Sequence, residues 1–188
     1  MSSEAQRRLI LHMSISLDGF SAAGRDIPGS VDHGSVRHQA NLELIGQVGL
    51  IAIGRGAYEQ MAPAWRTSDS PMARLINALP KVVFSTSLTA VQWDNAVLNA
   101  RPVEDEIPRL KAETGGDIVV FGGPRFAHSL IRHRLVDEYR LTVHPIALGG
   151  GSALMHGLPE PQRFELVSST VYTDGSTVQM LRPAGRVG

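Results

Sequence analysis

The chain has 188 residues, 18 Lys and Arg against 18 Asp and Glu, 43% hydrophobic residues and no cysteine. Length and apolar share suit one compact globular domain, 1–188 with its core from about 9 to 181, and the interspersed, balanced charge offers no electrostatic footprint for nucleic acid or an anionic membrane. Without cysteine there are no disulfides, thiolate nucleophiles or cysteine-ligated metals, so any chemistry rests on oxygen, nitrogen or a borrowed cofactor.

Arg7 and Arg8 ahead of Leu9, Ile10 and Leu11 imitate the start of a signal sequence, but His12, Ser14, Ser16 and Asp18 interrupt the apolar stretch. No run approaches the ~20 apolar residues of a bilayer span, and the expectation is a cytoplasmic protein. Leu9 to Leu17 reads as a first strand, followed by a glycine-rich polar loop from Asp18 to Gly34. Ser35 caps a helix to about Gln47, with Ala40, Leu44, Ile45 and Val48 at helical spacing. Gly49 to Ile53 is a continuous apolar run that fits a strand buried on both faces, and a short helix from Gly56 to Met61 follows. Ser70 to Leu79 is helical with Pro71 in its first turn, Lys81 to Ser85 is a strand, and Ala96 to Asn99 is a weaker one. Pro102 to Thr114 carries its acids early and Lys111 late, as the helix dipole prefers. Asp117 to Phe121 is a strand, Pro124 to Arg134 a helix and Val136 to Pro145 a long strand. Phe164 to Tyr172 and Ser176 to Leu181 flank Asp174-Gly175 as a terminal hairpin. The alternation predicts a three-layer α/β fold: a mostly parallel central sheet with helices on its faces and an antiparallel C-terminal hairpin.

In such sheets ligands bind beyond the carboxyl ends of the strands. Ile53-Gly54-Arg55-Gly56 sets a guanidinium and bare helix N–H groups at one strand end, a combination suited to phosphate. Phe84-Ser85-Thr86-Ser87 offers three hydroxyls, and Phe121-Gly122-Gly123-Pro124-Arg125 lets backbone approach an anion at a helix start. Each alone also reads as an ordinary tight connection, and no Gly-x-Gly-x-x-Gly fingerprint follows the first strand; the joint pattern is one of phosphate-compatible groups at three successive junctions. The histidine pairs His33/His38 and His128/His133 are five apart, which does not align metal ligands on one helix face, so no metal site is expected. Asp137 and Glu138 read as a structural turn, and Trp65 as a plug in a loop.

The segments Ser16-Leu17-Asp18-Gly19, Ile53 to Glu59, Val82 to Ser85, Asp117 to Gly123, Leu135 to Glu138 and His144 to Gly151 together resemble the dihydrofolate reductase-like superfamily. In particular they resemble the branch that shares the C-terminal reductase domain of bacterial riboflavin biosynthesis enzymes. The resemblance implies a dihydrofolate reductase-like fold and a homodimeric, NADPH-dependent reductase of a small heterocyclic (pterin- or pyrimidine-like) or carbonyl substrate. It implies that Gly54, Arg55, Ser85 and Thr86, with Arg101, hold the adenosine 2′-phosphate, and that Gly122, Gly123, Pro124, Arg125 and Phe126 hold the pyrophosphate. It makes Asp18 the candidate catalytic residue and places Gly19 beside it against nicotinamide and substrate. Three departures stand out: Ala57 where relatives often carry Thr, Phe121 where riboflavin-pathway reductases carry Glu, and no carboxylate early on the first helix, where only Glu43 lies late and Asp32 just outside. Phe121 makes the pocket more apolar and favours a flat ring over a sugar phosphate. A nucleotide-binding protein without turnover, or a flavin-type cofactor in the same cleft, are the rival readings.

Overall fold

Segments with no polar face to show to water form the centre of the molecule. The computed structural model describes residues 6–21, 27, 36–121 and 123–185. In chain order these form β1 (Leu9–Ser16), β2 (Phe20–Ser21), α1 (Val36–Gln47), β3 (Leu50–Gly54), α2 (Arg55–Trp65), α3 (Pro71–Ala78), β4 (Lys81–Phe84), β5 (Ala96–Asn99), α4 (Val103–Lys111), β6 (Ile118–Phe121), α5 (Pro124–Arg132), β7 (Glu138–His144), β8 (Ser152–Ala153), β9 (Phe164–Val171) and β10 (Thr177–Pro183). The main sheet runs β5-β4-β3-β6-β1-β7-β10-β9. Its first six strands are parallel, and β10 enters antiparallel between β7 and β9.

Both faces are covered around β3, β4 and β6, which is why those strands are buried almost along their whole length and, Lys81 at the start of β4 apart, apolar. On one face Leu9, Leu11 and Met13 of β1 pack with Ile107 and Leu110 of α4 and Leu130 and Ile131 of α5. On the other, Ile10, Ile51, Ile53 and Val119 pack under Leu44 and Ile45 of α1, Ala62 of α2 and Ile76 of α3. The expected three layers and the antiparallel C-terminal hairpin are both present. Asp174 shapes that hairpin by accepting from the Ser176 N–H at 2.9 Å, and it ties the turn to α1 through Arg37 at 3.1 Å.

The differences from the sequence reading are local. Ser35, expected as a cap, lies outside the described residues. Helix α2 continues four residues past Met61, through Pro63, and so places Trp65 on a helix rather than in a loop. Trp65 packs at the edge of the second cluster. Ser70 caps α3 as an N-cap, its Oγ accepting from the Ala73 N–H at 3.2 Å. The two-stranded β2–β8 ribbon was not anticipated. Among the described residues no helix is long and apolar enough to cross a membrane.

At the amino end of β4, Lys81 is 1% exposed. Its Nζ donates to the carbonyls of Asn77 (3.1 Å), Leu79 (2.7 Å) and Asp94 (3.0 Å) and lies 5.2 Å from the Trp93 ring centre. One cation thus closes the carboxyl end of α3 and pins the β4–β5 connection to it. Replacing Lys81 with Met keeps the apolar stem but orphans buried carbonyls, and is expected to lower unfolding free energy by about 1–3 kcal/mol in a denaturant titration.

Candidate functional site

The carboxyl ends of the six parallel strands lie along one edge of the sheet, and every junction singled out from the sequence opens there. At the end of β3, Gly54 passes directly into α2. A Cβ on Gly54 would lie 2.6 Å from the Phe126 Cβ, so only glycine lets the first turn of α5 sit against this strand end. Phe126 fills the space, its ring 5.0 Å from that of Phe84. Gly123 precedes α5 with φ +74°, a left-handed conformation natural to glycine, and Pro124 supplies the first helical position. The buried Ala57 lies beneath Gly123, 3.4 Å from where a Cβ would stand. The starts of α2 and α5 therefore converge, and their first-turn N–H groups, which helix geometry leaves without intrahelical acceptors, converge with them. Gly122 lies outside the described residues.

Beside this point an open cleft of about 700 Å³ is lined by Arg55, Ser85, Thr86, Ser87, Asn99 and Arg101, with Glu104, Ser129 and His133 on its far wall. Arg55 Nη1 donates to Ser87 Oγ at 2.9 Å. Ser85 Oγ accepts from the Ser87 and Leu88 N–H groups at 3.2 and 3.0 Å, which fixes the turn after β4. Asn99 Oδ1 accepts from the Arg101 N–H at 2.7 Å, and the Arg101 guanidinium, largely exposed, stands 3.6 Å from Glu106. The structure thus brings Arg55, Ser85, Thr86 and Arg101 to one cleft; Gly54 and Phe126 pack against each other behind Phe84 of its lining, and Gly123, Pro124 and Arg125 stand at the adjoining start of α5 and do not line the cleft. Sequence reasoning missed Asn99, Ser129 and His133; the spacing of Ser129 and His133, one turn apart on the polar side of α5, was the available signal.

The third group surrounds the end of β1. Asp18 is exposed, yet its carboxylate is fully engaged: Oδ1 accepts from Ser16 Oγ at 2.5 Å and from the Leu148 N–H at 3.1 Å, and Oδ2 accepts from the Gly149 N–H at 2.8 Å. The Ser16 hydroxyl, followed by these backbone donors, holds its pKa down to about 2, so it is a carboxylate at neutral pH. It clasps the turn after β1 to the glycine-rich stretch after β7. Gly19, with φ +82°, accepts from the Leu154 N–H at 3.2 Å and starts the β2–β8 ribbon.

On the sheet face that carries Phe121, His12 and Ser14 of β1 stand next to Arg140 and Thr142 of β7 in register. The His12 ring meets Phe121 edge-on at 6.3 Å. Burial, reinforced by Arg140, pushes the His12 pKa down to about 4. Burial and Arg37 likewise lower that of His144, two residues beyond Thr142. Both imidazoles are neutral at pH 7.

A family model for the RibD C-terminal domain matches residues 7–178. The chain is 28% identical over 176 residues to the uncharacterized protein YyaP of Bacillus subtilis (strain 168), covering 90% of this chain and 92% of that one. It superposes on a Shewanella sp. PV-4 protein assigned to riboflavin biosynthesis with TM-score 0.75 and 24% identity, over 95% of this chain and 99% of that one. It superposes on the diaminohydroxyphosphoribosylaminopyrimidine deaminase/5-amino-6-(5-phosphoribosylamino)uracil reductase of Thermotoga maritima with TM-score 0.67 and 15% identity, covering 95% of this chain but 57% of that longer one.

The Asp18 clasp has a defined pH signature. Its folded pKa is depressed, so its contribution is complete above the ordinary carboxylate value of 3.8 and is lost as pH falls through about 2. The Leu148 and Gly149 amide resonances are expected to titrate with that midpoint, and Asp18→Asn to remove the titration and speed exchange of both amides. Unchanged exchange in the variant would show that the clasp does not order this loop.

Proposed function

The chain belongs to the RibD C-terminal domain family, and on that premise we propose that it is an NADPH-dependent reductase of a small heterocyclic or carbonyl substrate. The observation that carries this reading is the cleft in which Arg55, Arg101 and the hydroxyls of Ser85, Thr86 and Ser87 face one space, adjoining the paired starts of α2 and α5. That donor set fits a dinucleotide bearing an extra phosphate: two guanidiniums and several hydroxyls for a dianionic monoester, and converging N–H groups for a pyrophosphate. NADPH, when bound, supplies the hydride. The protein's part is to bind, orient and exclude water.

Arg55 and Arg101 supply the charge that separates a 2′-phosphate from a free ribose hydroxyl. Gly123, without a side chain, lets backbone approach the pyrophosphate, while the N–H groups of Arg125 and Phe126 face it. Asp18 positions the loop over the nicotinamide end. Being ionised and occupied by three donors, it has no proton to give, and water delivers the proton to the reduced substrate. Ala57, packed under Gly123, leaves phosphate binding to backbone where a hydroxyl would otherwise add to it.

We further read the protein as a cytoplasmic homodimer. Strand β9 is an open sheet edge whose Leu166 and Val171 are exposed, a surface that proteins cover by pairing. Light scattering behind size exclusion is expected to give twice the chain mass at micromolar concentration.

The cofactor assignment is tested by fluorescence titration with NADPH and NADH. Arg55→Ala is expected to weaken NADPH by about 1.5–3 kcal/mol, the range for a hydrogen bond to a charged group, and to leave NADH nearly unchanged. Equal losses for both nucleotides would remove Arg55 from the 2′-phosphate. Intact binding with no oxidation across pterins, pyrimidines and quinones would identify a nucleotide-binding module instead.

A further inference from the structure

At the amino end of β7, opposite the carboxyl edge of the sheet, a second cavity opens between the end of α5, the segment before β9 and the end of β10. Its volume is about 50 Å³. That exceeds the ~10–15 Å³ one water needs and falls far below the roughly 300–1,000 Å³ of a cofactor-sized pocket. Arg134, Tyr139, Gln162 and Arg163 supply its polar wall, and Pro161 and Pro183 stiffen it. The Ala184 N–H donates to the Arg163 carbonyl at 2.8 Å, which holds two sides of the cavity together.

The Tyr139 ring packs edge-on against Phe164, centres 4.9 Å apart, and the residue is 1% exposed. Among the described residues, the fully enclosed side-chain polar atoms without a partner are His12 Nδ1, Ser21 Oγ and His144 Nε2. The Tyr139 hydroxyl has no hydrogen bond to a described residue either, yet it is not enclosed, so the small exposure of the residue falls on the hydroxyl and opens into the cavity. Burial, with Asp137 adding and Arg134 opposing, pushes the phenol's pKa up, so the group keeps a hydrogen to donate. The Arg163 guanidinium has no hydrogen bond or ion pair among the described residues. Arg134 closes α5 at φ +55°, where the Leu135 N–H donates to the Leu130 carbonyl and the Arg134 N–H to that of Ile131, both at 3.0 Å. Such a helix ending favours glycine, and the chain keeps a guanidinium there instead. Its pair with the exposed Glu160, at 2.8 Å, adds little to stability.

Arg134 and Arg163 set against Glu160 leave one net positive charge at the cavity, since Asp137 nearby is already paired with Lys111. One positive charge, a planar guanidinium fork and a phenolic donor match a carboxylate, whose two oxygens accept side by side; a phosphate dianion exceeds the charge available. We propose that this cavity is a binding site for a small carboxylate, of acetate to lactate size, held by the Tyr139 hydroxyl and the Arg163 fork with Arg134 completing the charge. The site goes beyond the reductase reading and rests on no part of it.

The test is a titration of the ¹⁵N-labelled full chain with sodium acetate, against sodium chloride at matched ionic strength, read at the Ala184 and Gly185 amide resonances. Acetate is expected to shift both saturably and chloride neither. Tyr139→Phe keeps the ring and its contact with Phe164 and is expected to weaken acetate about tenfold, as is Arg163→Gln. Arg134→Gly suits the left-handed backbone, so its thermal midpoint is expected to hold while acetate weakens about fivefold, which keeps the test open if the Tyr139 variant folds poorly. Shifts that never saturate, equal shifts with chloride, or equal acetate binding in parent and variants overturn the site. Inorganic phosphate binding more tightly than acetate overturns the carboxylate assignment.

Discussion

Gly54 and Phe126 contest the same space, and the outcome organises the whole carboxyl edge of the sheet. Because Gly54 has no side chain, α5 begins against the end of β3, and the Phe126 ring reaches over to Phe84. That contact ties β3, β4 and α5 into one unit and places Gly123 above Ala57. The convergence of two helix starts and the position of the Arg55 cleft beside them both follow from it. A methyl group at position 54 would have to push α5 outward, since the nearest atoms belong to a packed ring and its Cβ rather than to the end of a flexible chain.

The two ends of the sheet are held by opposite electrostatic devices. At the amino end Glu138, 1% exposed, is surrounded by Arg140, Arg182 and Arg8; burial works against its charge, and the three guanidiniums outweigh burial and keep its pKa below the ordinary value. Asp137, next to it, accepts from the Leu9 N–H and pairs with Lys111. These acids are structural, as their place at a strand start suggested. At the carboxyl end Asp18 does its work in the open with backbone donors. The buried network fixes strand register, whereas the exposed clasp fixes loops, and only the second lies next to candidate chemistry.

Most of the fold was legible because β3, β4 and β6 carry continuous apolar runs and the helices have one apolar face. Leu50 to Ile53, Val82 to Phe84 and Ile118 to Val120 announce themselves, and the Asp174-Gly175 turn sets the hairpin. That Arg55, Ser85 and Thr86 share one cleft was legible too, since they follow strand ends directly. The β2–β8 ribbon was not, because two-residue strands carry no periodicity. Nor was the meeting of His12, Ser14 and Thr142. In sequence, His12 and Ser14 look like interruptions of an apolar run, and only the pairing of β1 with β7 reveals that they meet Thr142 on one face. Ser129 and His133 offer in sequence only their one-turn spacing, and it is the packing of α5 that sets them on the cleft.

The clasp at Asp18 also bears on the thermodynamics of ligand capture. Its three donors fix the turn after β1 against the stretch at Leu148 and Gly149 using atoms of the chain alone. The entropy of ordering these two segments is therefore spent during folding, not at the moment a ligand arrives. A ligand bound beneath them would meet a preorganised frame, and the favourable contacts made there would appear in the affinity without that deduction.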